Sequence, residues 1–360
     1  MTTAAVGMGS EQRVEASAEH SPAALRRRYA TRFKPIPFIY WTDMLASAAL
    51  GWSAFLLAHW ASRFSVQWFI LEAIATCALY RAVLFIHELT HLRRRAVPGF
   101  NVVWDLVLGV PLMVPSLMYV GSHGEHHRRM VFGTEADPEY APIASWSKAR
   151  ILLSSLPILT VPGLLVIRFA ILGPLSYVIR PLRPLVVGYM STLVINPAYK
   201  RKMPEGKNAY RWYLEEAGTA LVAWGIAFAM VMDWMATSWL WEWYFVSSLI
   251  LMLNHVRTLV AHRYHNDGQP MDLMGQYLDS VNLDSDSWFT ILLAPVGLRY
   301  HALHHLLPTV PYHALGRIHR EMLSELPKST PYRQSEHRSL IAAMRRLLAK
   351  RGTEAAQVPS

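Results

Sequence analysis

The feature that most constrains the fold is a set of four apolar segments, each near the length that a helix needs to cross a bilayer. One crossing takes about 20 apolar residues. The segments cover residues 41–60, 66–86, 214–232 and 239–253, and the last is shorter than ideal. Short loops join the first to the second and the third to the fourth. The sequence therefore predicts an all-α integral membrane protein with about four transmembrane helices in two hairpins, and its 17% of charged residues is low for a soluble domain.

Two further apolar stretches, residues 102–120 and 151–196, fit this pattern less well. The first contains Asp105, Pro111 and Pro115, and the second contains five prolines and three arginines. One more crossing would break the alternation of inside and outside that the four spans define. We therefore predict that both stretches are interfacial or re-entrant segments.

Basic residues flank the predicted spans on one side. "LRRR" follows the second span, "YKRKMPEGK" precedes the third, and "HVRTLVAHRYHN" follows the fourth. Such residues mark the cytoplasmic end of a membrane helix. We expect a protein of the plasma (inner) membrane with its active site and both termini in the cytoplasm. The net charge of +10 then reflects loops that face the anionic headgroups of the lipid bilayer, and no nucleic-acid partner is expected.

The two ends of the chain differ in composition from its middle. Residues 1–35 are polar and lack the apolar core of a secretory signal, which predicts a mobile N-terminal tail. Residues 36–325 form the predicted membrane domain. Residues 326–360 form a predicted basic C-terminal tail.

Histidines cluster along the chain in a way that indicates metal binding. Eleven of the sixteen fall into four tight groups. These groups are His87 and His91; His123, His126 and His127; His255, His262 and His265; and His301, His304 and His305. On a helix, residues i, i+3 and i+4 share a face, so H-x-x-x-H and H-x-x-H-H should present their imidazoles on one side. Neutral imidazole is the commonest metal ligand among side chains.

The segment "HELTH" at residues 87–91 also fits the H-E-x-x-H motif of zinc metalloproteases, with Glu88 as the general base. A catalytic zinc takes only three protein ligands, so most of the histidines would be surplus. Two metal ions with about four or five ligands each account for the count. Nitrogen ligands without thiolate suit iron among the redox metals, and copper stays open as the alternative. The single cysteine excludes a Cys-ligated cluster. A membrane zinc metalloprotease is therefore only a remote alternative.

Three motifs, "HELTH", "HGEHH" and "HALHH", occur in this order around the two predicted hairpins. Together they resemble the histidine boxes of the membrane fatty acid desaturase family, which belongs to a di-iron superfamily. The segment "HHLLPTVPYHAL" resembles the family's H-H-x-F-P-x-x-P pattern, with Leu307 in place of the usual aromatic residue, and "DPE" at 137–139 is also typical. The resemblance covers residues 40–325 and implies a cytoplasmic helical cap that holds a histidine-box di-iron site.

The resemblance also implies a set of metal ligands. Eight positions match its motifs directly, and they are His87, His91, His123, His126, His127, His301, His304 and His305. A ninth ligand is implied after the fourth span, where His262 is favoured and His255 and His265 stay open. Asn254 in the same region could hold a metal-bound water.

Carboxylates near the histidines are candidates for supporting roles, because a ligating histidine usually donates its second N–H to a carboxylate or a carbonyl. The candidates are Glu88, Glu125, Asp137, Asp267 and Asp272. Five arginines could hold a polar headgroup or a donor protein, or simply mark the membrane edge; they are Arg93, Arg94, Arg95, Arg128 and Arg129.

The reaction that the resemblance implies is desaturation of an acyl chain in an acyl-lipid substrate. Two iron ions and O₂ as co-substrate would form the double bond. Electrons would come from a separate ferredoxin-type or cytochrome b5-type donor, because the sequence contains no haem-binding His-Pro-Gly-Gly segment and only one cysteine. Hydroxylation or ketolation of a lipid or carotenoid is the alternative, and the histidine motifs do not separate these reactions. A non-catalytic metal binder or transporter would instead place its ligands inside the spans.

Overall fold

The computed structural model describes residues 21–349 apart from Arg94 and Val194. The described part of the chain is mostly helical, as the apolar patterning predicts. The helices of its first half are α1 (Pro22–Tyr29), α2 (Pro37–Trp60), α3 (Val66–Val83), α4 (Phe85–His91), α5 (Phe100–Trp104), α6 (Ser122–His126), α7 (Lys148–Leu153), α8 (Val161–Val166) and α9 (Gly173–Val178).

The second half continues with α10 (Leu182–Met190), α11 (Gly206–Val231), α12 (Ser238–Leu259), α13 (Leu273–Asp279), β1 (Asn282–Leu283), α14 (Trp288–Leu293), α15 (His301–Leu306), α16 (Tyr312–Glu325), β2 (Glu336–His337) and α17 (Leu340–Leu348). Short 3-10 turns lie at Ser116–Met118, Ile143–Ser145, Leu156–Thr160 and Pro331–Ser335, and π-helical turns at Asp105–Gly109 and Ile167–Leu172.

Helices α2 and α3 form the first hairpin and pack closely along their length. Gly51 on α2 permits this approach, because a Cβ at that position would lie 2.6 Å from Cγ of Leu79 on α3. Arg81 on α3 donates through Nε and Nη2 to the two carboxylate oxygens of Asp43 on α2, at 2.8 and 2.5 Å. Pairing of opposite charges lowers the cost of placing each of them in an apolar hairpin.

Helices α11 and α12 follow one another as the second predicted hairpin but make few close contacts with each other. Helix α12 packs against α3, and α11 packs against the π-helical turn Ile167–Leu172. Near the end of α2, Nδ1 of His59 lies 2.7 Å from Oε2 of Glu242 on α12. The same imidazole stacks on Trp239 with 3.4 Å between ring centroids. The first hairpin is therefore joined to α12 by a polar and an aromatic contact as well as by apolar packing.

Among the described residues, three runs of helix are long and apolar enough to cross a membrane, namely Val66–His91, Lys148–Val178 and Asn208–Val231. The first and third of these match the second and third predicted spans. The other two predicted spans are helices of sufficient length, since α2 has 24 residues and α12 has 22. They are not among the three apolar runs because polar residues, including Asp43 and Glu242, lower their mean hydropathy.

The prediction of an interfacial or re-entrant segment over 151–196 stays a prediction, but its first part, Lys148–Val178, is a 31-residue run of helical turns that is long and apolar enough to cross a membrane. The prolines that argued against a span are accommodated within it. Pro157, Pro162 and Pro174 each stand in the first turn of a helical segment, where a missing N–H costs no hydrogen bond. The stretch 102–120 contains only the 10-residue helix Phe100–Gly109, which is too short to span.

A buried ion network joins this run to the second hairpin. Arg168 and Glu216 are 1% and 2% exposed, and Nη2 of the arginine lies 2.5 Å from Oε1 of the glutamate. Arg183 Nη1 lies 2.8 Å from the other carboxylate oxygen, and the Tyr177 hydroxyl donates to that oxygen at 2.5 Å. The guanidinium of Arg168 also donates to the Ser191 hydroxyl at 2.8 Å. Two arginines and one carboxylate thus share one site inside an apolar layer.

Residues 21–35, which composition assigns to a mobile tail, include α1, a helix that packs against α15 and α16. Leu25 and Tyr29 are buried there among residues of α15 and α16, and Nε of Arg26 donates to the Leu306 carbonyl at 2.7 Å. Residues 326–349 are packed as well, since β2 pairs in parallel with β1 and α17 buries Leu340. The remaining parts of both predicted tails, residues 1–20 and 350–360, lie outside the described residues.

We expect Arg168→Met to destabilise the protein by about 3–5 kcal/mol, because it leaves part of a buried carboxylate without its partner. The matched control is Arg180→Met, which removes an exposed arginine from the same region and should change stability by no more than about 0.5 kcal/mol. Thermal unfolding of the purified protein in detergent measures both. Equal melting temperatures for the two variants would contradict a structural role for the network.

Candidate metal centre

Four segments converge at one end of the helical scaffold and carry nine histidines. Helix α4 supplies two, α6 with the residue after it supplies three, and α15 supplies three. His262 lies in the irregular segment after α12, beyond the helix end at Leu259. Gly121, at φ 102°, provides the left-handed turn that starts α6, which a side chain at this position would strain.

The five-histidine group consists of His87, His91, His123, His127 and His304, and one ring nitrogen of each lies within 4.8 Å of the others. Nε2 of His304 is 3.2 Å from Nε2 of His91 and 3.1 Å from Nε2 of His127. Nε2 of His127 is also 3.1 Å from Nε2 of His123. Ring nitrogens from three separate segments thus face one another.

The four-histidine group consists of His126, His262, His301 and His305, all buried. Nε2 of His301 is 2.9 Å from Nε2 of His262 and 3.2 Å from Nε2 of His305. The two groups together contain the nine histidines predicted as ligands.

The three imidazoles of each H-x-x-H-H motif do not form the single coordination face that the motif suggested, because they are divided between the two groups. In both motifs the first and last histidines, four residues apart, join one group, and the middle histidine joins the other. His126 therefore belongs to the four-histidine group, and His304 belongs to the five-histidine group. The physical reason is the helical rotation of about 100° per residue. Relative to residue i, residue i+4 is rotated to one side and residue i+3 to the opposite side. Each motif therefore contributes to both groups.

The arrangement fits two metal ions. Metal–nitrogen bonds of about 2.1 Å place neighbouring ligand nitrogens about 3 Å apart, which is the spacing found between these rings. Nε2 of His126 and both ring nitrogens of His87 are buried without a hydrogen-bond partner among the described residues. Buried polar atoms are rarely left unsatisfied in folded proteins. Bound metal ions would satisfy them.

Two carboxylates hold the outer nitrogens of the α6 histidines. Nδ1 of His126 lies 2.8 Å from Oδ1 of the fully buried Asp137. Nδ1 of His123 lies 2.8 Å from Oε1 of Glu139 and 2.9 Å from the Tyr119 hydroxyl. These contacts leave Nε2 of each ring for a metal and hold the ring in place.

A third carboxylate lies near His262. Oδ2 of Asp279 is 3.8 Å from Nδ1 of His262, and the Ser280 hydroxyl is 3.2 Å from the same nitrogen. Sequence reasoning placed Asp137 among the supporting carboxylates but missed Glu139 and Asp279. Glu139 could have been found, because it lies two residues from Asp137 in the noted "DPE" segment. Asp279 belongs to α13, and no local signal connects it to His262.

The other predicted supporting carboxylates have different contacts. Glu88 accepts hydrogen bonds from the Tyr40 hydroxyl and, at 3.3 Å, from the Tyr312 N–H, so this oxygen is not turned toward the histidines as a protease base would be. Glu125 accepts the Tyr199 hydroxyl at 2.6 Å. Asp272 caps α13 by accepting the N–H of Gly275 at 2.7 Å, and Asp267 is exposed. Of the five predicted arginines, Arg94 lies outside the described residues and the other four are exposed.

Burial keeps most of these histidines neutral and available as ligands. It lowers the pKa of His123, His127, His262 and His304 well below the usual value, and the neighbouring imidazoles lower it further. Burial also acts to lower the pKa of His126, but the charge and hydrogen bond of Asp137 outweigh it and the net shift is upward. An Nδ1–H held on the ring by Asp137 is compatible with metal binding through Nε2.

The three further candidates after the fourth span lie outside both groups. Asn254 and His255 line a cavity described below, and Nε2 of His255 lies 3.4 Å from the Ser154 hydroxyl. His265 is exposed, and its backbone N–H donates to Asp279 at 3.2 Å. Of His255, His262 and His265, only His262 belongs to one of the two histidine groups.

A mostly apolar cavity with a volume of about 340 Å³ opens beside the five-histidine group. Its wall includes His87, Tyr119 and Glu139 at that end, and it continues between the helices along Leu165 and Ile250. Polar side chains from Asn254 to Thr258 also line it. The cavity can therefore hold a hydrocarbon chain next to the histidines.

A helical membrane scaffold with two histidine groups and an apolar cavity beside them defines the class, a histidine-rich membrane oxidoreductase. The fatty acid desaturase family profile matches residues 64–336, and the chain belongs to this family. It is 38% identical over 310 residues to a protein of Caulobacter vibrioides named ceramide hydroxylase, a match that covers 86% of this chain and 88% of that protein. No solved structure matches the chain significantly.

We expect Asp137→Asn and Glu139→Gln each to weaken metal binding by about 10- to 100-fold, because each removes a carboxylate that holds a histidine ring. Glu125→Gln is the matched control. Glu125 lies between the histidines that these two carboxylates hold, but it contacts Tyr199 instead of a histidine. Metal content after dialysis against graded chelator measures the effect. Retention by both variants equal to that of the control would contradict the supporting roles.

Proposed function

We propose that this protein hydroxylates the hydrocarbon part of a ceramide or a closely related amide-linked lipid, using O₂ and electrons from a separate donor protein. The observation that carries the proposal is the apolar cavity whose wall includes His87 of the five-histidine group. Desaturation was the main expectation from sequence. The name of the Caulobacter relative favours the hydroxylase alternative, because 38% identity extends over most of both chains.

The polar part of the cavity wall suits a lipid with an amide and hydroxyl groups. Arg257 is 8% exposed and lines the cavity, and its Nε and Nη2 donate to Oδ1 of Asn254 at 3.2 and 3.1 Å. Thr258 contributes a hydroxyl to the same region. A plain acyl chain offers few groups that such residues could bind, whereas a ceramide offers an amide and hydroxyls. These residues would hold the polar end of the lipid and so set which carbon lies beside the histidines.

Hydroxylation consumes one C–H bond, O₂, two electrons and two protons, and it yields a C–OH group and one water. Two iron ions in the histidine groups would supply the activation of O₂ that attack on an unactivated C–H bond requires. Iron is the redox metal best suited to all-nitrogen ligands that lack thiolate. Asp137 and Glu139 would keep the Nδ1 protons on their histidines, and the apolar cavity walls would exclude water from the reacting carbon.

The test is a lipid profile of a ceramide-containing bacterial host that expresses the wild-type chain or His304→Ala with a donor system. Wild type should produce a ceramide heavier by the mass of one oxygen atom, and the variant should produce none, because His304 contacts two other histidines of its group. A product lighter by two hydrogens would establish desaturation instead. An unchanged activity of His304→Ala would overturn the site.

We expect Ile250→Trp to reduce hydroxylation by about 100-fold, because the larger ring fills the cavity and displaces the chain from its reactive position. Metal content should be unchanged, since Ile250 lies within α12 and all nine proposed ligands lie outside that helix. Leu240→Trp on the same helix is the control, because Leu240 is exposed and does not line the cavity. Full activity of Ile250→Trp would show that the substrate binds elsewhere.

A further inference from the structure

A third cluster of potential ligands lies between α16 and the β1–β2 pair, and it includes none of the nine histidines. It consists of Asp284, which follows β1, His319 on α16, and Glu336 on β2. One ligand atom from each lies within 4.8 Å of the other two. The cluster joins three segments that are far apart in the chain.

The histidine at the centre of this cluster is buried and unsatisfied. His319 is 3% exposed, and its Nε2 lies 3.3 Å from Oε2 of Glu336 and 3.6 Å from Oδ1 of Asp284. Neither His319 Nε2 nor Glu336 Oε2 makes a hydrogen bond within the described residues. The other oxygen of Glu336 accepts the Asn282 amide at 2.8 Å, which turns Oε2 toward the imidazole. The arrangement therefore aims two unsatisfied buried atoms at one point.

Two nearby arginines make their hydrogen bonds outside the cluster, although the charge of Arg333 still acts on Glu336. Arg299 donates to the Ser285 carbonyl at 2.8 Å and pairs with Asp286 at 3.2 Å. Arg333 donates through Nη2 to the backbone carbonyls of Leu323 and Leu326. Two close carboxylates beside one imidazole thus form a region of negative charge that a cation would stabilise.

We propose that Asp284, His319 and Glu336 bind a zinc ion. Zinc accepts imidazole nitrogen and carboxylate oxygen together, and bonds of about 2.1 Å in a tetrahedron place ligand atoms about 3.4 Å apart, close to the two spacings of this cluster. Mg²⁺ and Ca²⁺ prefer oxygen ligands alone. Asp284 is 58% exposed in its side chain, so solvent can supply the fourth ligand as water.

The ion would fasten the C-terminal segment to the helix that carries three of the nine histidines. Strands β1 and β2 pair over only two residues each, which is a weak connection by itself. Asn282 of β1 donates to Glu336 and accepts, through Oδ1, the N–H of Leu303 on α15 at 3.0 Å. Zinc at Glu336 would therefore hold Asn282, and through it the start of α15, in place.

The experiment counts zinc and iron separately in the purified full-length chain after loading with iron and then with Zn²⁺. Wild type should retain about one zinc per chain after gel filtration, as a three-ligand protein site does. His319→Gln and Glu336→Gln should lose it while keeping the iron content of wild type, which also verifies that they are folded. Asp286→Asn is the matched control, because Asp286 is close in sequence and pairs with Arg299 instead.

A second variant distinguishes this site from the nine-histidine centre. His304→Ala should lose iron and keep the zinc, because His304 is not part of the cluster. The proposal is overturned if wild type binds no zinc, which would leave the cluster as a buried imidazole packed beside two carboxylates. Zinc retention by both His319→Gln and Glu336→Gln would overturn it as well.

Discussion

Nine imidazole rings packed together, seven of them buried, are the constraint on which the rest of this structure depends. Within each group several Nε2 atoms face one another at 2.9 to 3.2 Å, and imidazoles packed in this way are not satisfied by one another. The cost of burying them is offset if metal ions accept the nitrogen lone pairs. Buried carboxylates, Asp137 among them, support this arrangement by holding the outer nitrogens. The four segments that carry the histidines therefore fix the orientations of the nine imidazole rings.

The helices beneath the centre meet a second constraint, since they combine an apolar layer with buried charges. Several charges are paired across helices, as with the half-buried Asp43 and Arg81 or the buried Arg168 and Glu216. Such pairs fix the relative positions of the helices more strictly than apolar contacts do. The space left between the helices is the cavity that reaches His87. The apolar cavity and the histidine groups are therefore positioned by the same helices.

Sequence patterns predicted the parts of the fold and of the site that depend on local spacing. The nine histidines of the two groups were identified in this way. The division of the histidines between the two groups was not predicted. Adjacent histidines, His126 and His127 or His304 and His305, belong to different groups because one residue along a helix changes the direction of the side chain. His262 was favoured from sequence but could not be separated from His255 and His265, because α12 ends at Leu259 and helical spacing does not apply to the segment that follows. Asp279 was missed because only the tertiary fold brings α13 to His262.

The central claim is that the nine histidines hold two irons in unequal sites. The most direct measurement is iron analysis of the purified chain together with Mössbauer spectroscopy of the reduced, ⁵⁷Fe-loaded protein. The account predicts two irons per chain and two ferrous signals of equal area, because one site has five histidines and the other four. One iron per chain, or a full complement of two irons in a chain lacking His301 and His305, would contradict it.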